Sequence, residues 1–367
     1  MVAVVTGASA GIGRAIALRL GEAGYRVGLV ARDAAALEDV RREIESAGSQ
    51  AFVAPADVAD AEALFRAADE IARAFGRIDL WVNDAMETVF SFFEDMSPHE
   101  FRRVTEVTYL GFVHGTMAAL RHMRDRDDGT IVQIGSALGY RGIPLQSAYC
   151  GAKHGIKGFT ESLRTELLHR QSGIRLVTVD LPAVNTPQFD WARAHTAREP
   201  RPMGRPIEPE VVADAVLRAI HGRGREYWLG GTTILAIVGN MVAPAFMDHY
   251  LAAKAVEGQM RQERVAADRR DDLDAPVHDL HRTRGSFSNG AANSAVLVPA
   301  GLTRIGIIAA GAAAFFALGM ASAARRRRSG REQVRRLPER GAFRGSPAQD
   351  LRTTAAIRRE RAHSPAE

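Results

Sequence analysis

The chain has 367 residues, 46% of them hydrophobic and 25% charged, with a formal net charge of +5 and one cysteine. That balance belongs to a folded chain and excludes collagenous, low-complexity and disulfide-stapled scaffolds. The positive excess gathers at Arg325–Arg328 and beyond, so the body is no basic platform and no nucleic-acid partner is expected.

Taken in order, the apolar run Val2–Val5 reads as a first strand rather than a secretory signal, which would need a basic start and a longer apolar stretch. Similar β-branched runs recur at Val27–Val30, Ala51–Ala54, Ile78–Val82, Thr130–Ile134 and Arg175–Val179. Between them lie amphipathic helical stretches at Gly11–Ala23, Ala35–Ala47, Ala61–Phe75 and Pro98–Arg124, the last opened by the cap signal Ser97-Pro98-His99-Glu100. Strand and helix alternate, which predicts an α/β fold of Rossmann type: a doubly wound parallel sheet with helices on both faces. Residues 182–209, rich in Pro, Arg and aromatics, read as a substrate lid. A helix at Glu210–His221 and a strand at Tyr227–Leu229 follow, and a catalytic domain of 1–250 is expected. From Val256 to Arg284 the composition turns charged and packing periodicity disappears, so a poorly ordered polar linker is expected over 251–304.

Directly after the first strand stands Thr6-Gly7-Ala8-Ser9-Ala10-Gly11-Ile12-Gly13, leading into a helix. Glycines at 7, 11 and 13 let the backbone approach a pyrophosphate, and the helix start offers free N–H groups to it. Turns need glycine too, but the strand-to-helix context favours a dinucleotide. At the end of the second strand Ala31 supplies no carboxylate for a ribose 2′-hydroxyl, whereas the Arg32 guanidinium suits the 2′-phosphate of NADP. NAD is less favoured, although Asp33 is acidic; it serves equally as a helix cap. Asp57 and Val58, after the third strand, face adenine or simply begin the next helix.

The fifth strand ends at Ser136, and Tyr149 stands four residues before Lys153 on a predicted helix, so the two share a face. A free phenol has a pKa of about 10, and a nearby ammonium favours its anion, making Tyr149 a proton-transfer group with Ser136 positioned for the substrate oxygen. Cys150 lacks a base beside it and reads as a small buried thiol, and the eleven histidines show no metal-ligand spacing, so no metal is expected.

Together, Thr6–Gly13, Asp57, Ser136, Tyr149 and Lys153 resemble the short-chain dehydrogenase/reductase family over about 1–250. The resemblance implies a Ser136-Tyr149-Lys153 catalytic set, Lys153 also holding the nicotinamide ribose, NADP preference from Arg32, a carboxamide contact at Thr186, and a homo-oligomer. Three departures stand out. The family's Asn-Asn-Ala-Gly is Asn83-Asp84-Ala85-Met86, with Asn83 retained as a cofactor-site residue; its proton-relay Asn is Thr108; and its Pro-Gly is Pro182-Ala183. Thr108 is a candidate relay hydroxyl.

Near the C-terminus, 305–324 is a twenty-residue uncharged stretch followed by Arg325–Arg328, the pattern of a membrane-associated helix, with an Arg-rich disordered tail over 325–367. A cytoplasmic NADP site and the arginines both prefer the inner side, which points to a monotopic or re-entrant helix with a spanning tail as the alternative, and a buried packing helix as the plainer reading. The functional expectation is an NADP-dependent oxidoreductase for a small hydrophobic alcohol or carbonyl. A 3-oxoacyl-carrier-protein reductase and a membrane-tethered NADP-binding scaffold are the alternatives.

Overall fold

A computed structural model describes residues 1–335. β1 (Val2–Thr6) is buried along its whole length, as a strand covered on both faces must be. α1 (Gly11–Glu22), β2 (Arg26–Val30), α2 (Ala34–Ser46) and β3 (Ala51–Val53) follow, then α3 (Ala61–Phe75), β4 (Leu80–Asn83) and the two-residue β5 (Val89–Phe90). Local chemistry sets the helix ends: Asp33 caps α2 by accepting from Ala35 N–H and Ala36 N–H, and Gly76 at φ 85° stops α3.

α4 (Pro98–Thr105) opens with the expected capping box, Ser97 accepting from Glu100 N–H while the Glu100 carboxylate accepts from Ser97 N–H. The single long helix expected over 98–124 is interrupted. Glu106–Leu110 forms one π-helical turn before α5 (Gly111–Met123), and Thr108 sits in that bulge.

Next come β6 (Thr130–Ser136), α6 (Ser147–His169), β7 (Arg175–Leu181), the short α7 (Gln188–Trp191), β8 (Arg193–Ala194) and β9 (Arg198–Pro200). They are followed by α8 (Pro209–His221), β10 (Glu226–Leu229), α9 (Gly231–Val242), α10 (Pro244–Gly258), β11 (Met260–Arg264), β12 (Leu297–Pro299) and α11 (Ala300–Arg335). The eight-stranded sheet has the order β12-β10-β7-β6-β4-β1-β2-β3. All its pairs are parallel except β10 with β12. One apolar cluster joins β1, β2, β6 and β7 to α1, α2 and α8; a second joins the opposite face to α3 and α5. Strand order reverses between β1 and β4, and the carboxyl ends there open the crevice where such sheets take ligands.

The expected linker over 251–304 is instead folded into the body. β11 pairs with β9, β12 joins the main sheet, and Leu273 is fully buried beside Val89, Val104 and Ala148. Its charged composition is satisfied by ion pairs that no local pattern reveals: Arg193 reaches Asp271 at 2.9 Å and Asp274 at 2.8 Å, and Arg269 pairs with Glu199. Chain contacts group Met1–Gly306 as one unit and the residues from Ile307 as another. Within α11, Ala300–Ala317 has a mean hydropathy of 1.6, long and apolar enough to cross a membrane by length and composition. The helix continues through Arg325–Arg328 to Arg335, where a disordered tail was expected; 336–367 lie outside the described residues.

Candidate active site

The turn after β1 forms the floor of a groove. Gly7 has φ +74°, and a Cβ added at Gly13 would stand 2.2 Å from Gly7 O, so no larger residue fits where the turn closes on the helix start. Gly7, Ser9, Gly11 and Ile12 line the groove together with Arg32, Asp57, Val58 and Thr186. Thr6 sits beneath rather than in it. Its hydroxyl accepts from Asp84 N–H at 3.1 Å and Ala85 N–H at 3.3 Å, fixing the turn after β4.

Asn83, expected at the cofactor, faces the other way and is fully buried. It donates to Gln133 Oε1 at 2.9 Å and Thr116 Oγ1 at 3.1 Å and accepts from Trp81 Nε1 at 2.7 Å. This is a correction with a packing cause: Gly115 lets α5 approach so closely that a Cβ there would stand 2.1 Å from Asn83 Oδ1. The side chain at the groove is its neighbour Asp84, which lies against Gly13.

At the adenosine end, Arg32 lines the groove but donates to Glu87 Oε1 at 2.6 Å, Asp272 O at 2.6 Å and Leu273 O at 3.2 Å. Asp33, the ambiguous acid, caps α2 and has its second oxygen 2.5 Å from His278 Nδ1. Burial works upward on Asp33, yet the α2 amides and His278 hold it below the usual carboxylate range. Arg103 takes Asp57 Oδ2 at 2.6 Å. Pattern reading missed Glu87, Asp272 and His281, which line the groove, and Arg103, which holds the lining residue Asp57, because their partners are remote in sequence.

Beyond Ile12 and Thr186, which line both spaces, the groove meets a cavity of about 380 Å³. Ser136 at the end of β6 and Tyr149 and Lys153 on α6 converge there, with Pro182 behind β7. Ser136 Oγ accepts from Leu138 N–H at 3.1 Å. Lys153 is buried, with Nζ donating to Ile134 O at 2.9 Å and standing 5.5 Å from the Tyr149 ring centre. Burial dominates the protonation of the pair: it raises Tyr149 well above the ordinary phenol, with the Ser136 hydrogen bond pulling the other way, and it lowers Lys153 to about 8 against the carboxylates of Asp84 and Asp180. The phenol is therefore held neutral, where a depressed pKa was expected. Burial also pushes Asp84 up to about 7.

Thr108 lies outside the convergence. Its hydroxyl proton goes to Glu87 O at 2.8 Å, and its oxygen accepts Glu87 N–H at 2.9 Å, so it pins the 84–88 turn instead of offering a free relay hydroxyl. The Cys150 thiol is raised by burial, the opposite of a reactive cysteine. Among the described residues no group of His, Cys, Asp and Glu has metal-binding geometry.

A doubly wound sheet carrying a glycine turn at its switch point, with serine, tyrosine and lysine beyond the strand ends, defines a nucleotide-dependent oxidoreductase. Residues 1–196 match the short chain dehydrogenase family model. The chain belongs to the short-chain dehydrogenase/reductase family. It is 31% identical over 292 residues to the uncharacterized oxidoreductase YxnA of Bacillus subtilis, covering 77% of this chain and 81% of that one. Among solved structures it is similar to an alcohol dehydrogenase from Thermococcus sibiricus complexed with 5-hydroxy-NADP, with TM-score 0.55, 26% identity, and coverage of 62% of this chain and 94% of that one. A metagenomic short-chain oxidoreductase in complex with NADP matches with TM-score 0.53, 32% identity, and coverage of 62% and 95%. NADP is the cofactor consistent with these neighbours, and the groove suits it: glycine cradle, helix start and Arg32 stand in the required order.

Proposed function

We propose that the protein is an NADPH-dependent reductase of a small hydrophobic carbonyl compound, running in reverse as an alcohol dehydrogenase. The observation that carries this reading is the convergence of Ser136, Tyr149 and Lys153 in one largely apolar cavity that meets the nucleotide groove. Bound NADPH supplies the hydride chemistry. Ser136 orients the substrate oxygen, and Tyr149 delivers a proton to it. A phenol raised by burial is protonated at rest and ready to give its proton to the substrate oxygen. Lys153 holds the ribose side and its ammonium stabilises the phenolate left after transfer.

Leu138, Ile143, Phe189, Leu235, Met247 and Leu251 line the cavity and call for an apolar substrate. An acyl-carrier ketone is an alternative substrate within the same chemistry. Purified full-length protein should oxidise NADPH with some member of a hydrophobic ketone and aldehyde panel. Tyr149→Phe should lower kcat by at least about 10²-fold while leaving NADPH binding intact. Binding without turnover across the panel would replace this reading by that of a nucleotide-binding scaffold.

Membrane association rests on the apolar window of α11 together with exposed Leu302, Ile305, Phe315 and Phe316. Exposed Met241, Val242 and Phe246 on α9 and α10, the helices that also wall the cavity, add to it. We favour a monotopic helix anchored by Arg325–Arg328 with the catalytic body on the cytoplasmic side. Protease added outside sealed vesicles should leave the tail uncut; cleavage would favour a spanning helix. A homo-oligomer is expected, and light scattering on detergent-solubilised protein would measure it.

A further inference from the structure

Between β11 and β12 the chain turns back across the nucleotide groove as a strap. Asp272 N–H donates to Trp191 O at 3.2 Å, Leu273 O accepts from Arg103 Nε at 3.0 Å, and Arg282 O accepts from Gly11 N–H at 3.0 Å. Asp272, Pro276, Val277 and His281 thereby form the outer wall of the groove, opposite the glycine turn.

His281 is the telling residue. Its side chain is buried, 8% exposed, and its ring lies 5.5 Å from that of Trp191. Its Nε2 comes within 3.0 Å of Asp33 Oδ2, but neither ring nitrogen makes a hydrogen bond. Beyond that contact with Asp33, a buried imidazole whose nitrogens have no aligned hydrogen-bond partner is costly, and such groups ordinarily have one. The charged and titratable groups near it are Asp33, His278, Arg14 and Arg32, of which Arg32 and Asp33 line the groove with it. Arg32 is meanwhile held by Glu87 and by two strap carbonyls, and the Glu87 and Asp272 carboxyl groups act on each other's protonation.

We propose that this strap is the second half of the NADP site: His281 hydrogen-bonds the adenosine 2′-phosphate, and Arg32 passes from Asp272 and Leu273 to that phosphate when NADP binds. The strap then decides between NADP and NAD, because only the phosphorylated ribose competes for Arg32 and satisfies His281. The inference rests on the nucleotide groove described above and goes beyond Arg32 as the determinant of cofactor choice.

The test is calorimetric titration of the full-length protein with NADPH, NADH and 2′,5′-ADP. His281→Ala should weaken NADPH and 2′,5′-ADP about tenfold, the scale of one lost hydrogen bond to a charged group, and leave NADH within twofold. Asp272→Asn leaves the main-chain carbonyl that holds Arg32 but removes the negative charge beside it, and should tighten NADPH several-fold without changing NADH. Unchanged NADPH affinity in His281→Ala, or an equal loss for NADH, overturns the assignment of His281. Weaker NADPH binding in Asp272→Asn overturns the exchange at Arg32. Failure of the wild-type protein to bind any of the three nucleotides would instead overturn the nucleotide site itself. The thermal midpoint of each variant separates misfolding from lost contacts.

Discussion

Thr108 and Glu87 are joined by two hydrogen bonds, the hydroxyl giving its proton to Glu87 O and receiving the Glu87 amide proton. Both atoms of that hydroxyl are thus used in holding the turn after β4, whose Asp84 and Met86 line both the groove and the cavity. Thr108 lies in the π-helical turn between α4 and α5, so this contact is made from the bulge.

Thr108→Val keeps the volume and leaves the Glu87 amide and carbonyl unpaired in a buried place. The loss should be about 1–3 kcal/mol, read as a lower urea midpoint with unchanged slope. A relay role predicts something else: a fall in kcat with unaltered stability.

Asp84 supports the charge of Lys153, since its carboxylate works against the burial that lowers that ammonium to about 8. Asp84→Asn removes the support, so Lys153 loses its proton at lower pH. If the ammonium is needed for turnover, the alkaline limb of kcat moves downward, with roughly a tenfold loss at pH 8 and little change at pH 6. A pH profile that keeps its shape would deny the coupling.

Asp180 is pushed up to about 7, first by burial and then by the Glu226 charge, against the Tyr140 hydroxyl at 3.0 Å. The folded-state value lies above the unfolded one, so the native state binds the extra proton, and the resulting stability is complete below about pH 4 and is lost as pH rises through about 7. Asp84 acts in the same direction. Unfolding free energy should therefore fall by a few kcal/mol from pH 5 to pH 8, and Asp180→Asn should flatten part of that slope in denaturant titrations.

Gly13 meets Gly7 O across the turn, so Gly13→Ala places a methyl group where the backbone already stands. NADPH binding should drop by at least about tenfold while the far-ultraviolet circular dichroism spectrum is preserved. Retained affinity would mean that the turn can open without cost.

Much of the machinery is legible along the chain because it is local. The alternation of strands and helices follows from residue periodicity, the glycine turn from strand-to-helix context, the α4 start from its capping box, and the shared face of Tyr149 and Lys153 from helical geometry. Family resemblance placed Ser136 with them, at the end of the strand where the structure has it.

Folding alone decided the rest, because those features depend on which distant residues meet. Asn83 turns into the core because Gly115 on another helix leaves it room. Tyr149 is raised because burial outweighs the Ser136 hydrogen bond, and burial is a property of packing. Arg32 lies 240 positions from the strap carbonyl of Asp272 that it holds, and Asp33 lies 245 from His278. A charged stretch reads as solvated linker until its partners are known, and only the tertiary structure brings those partners to the groove.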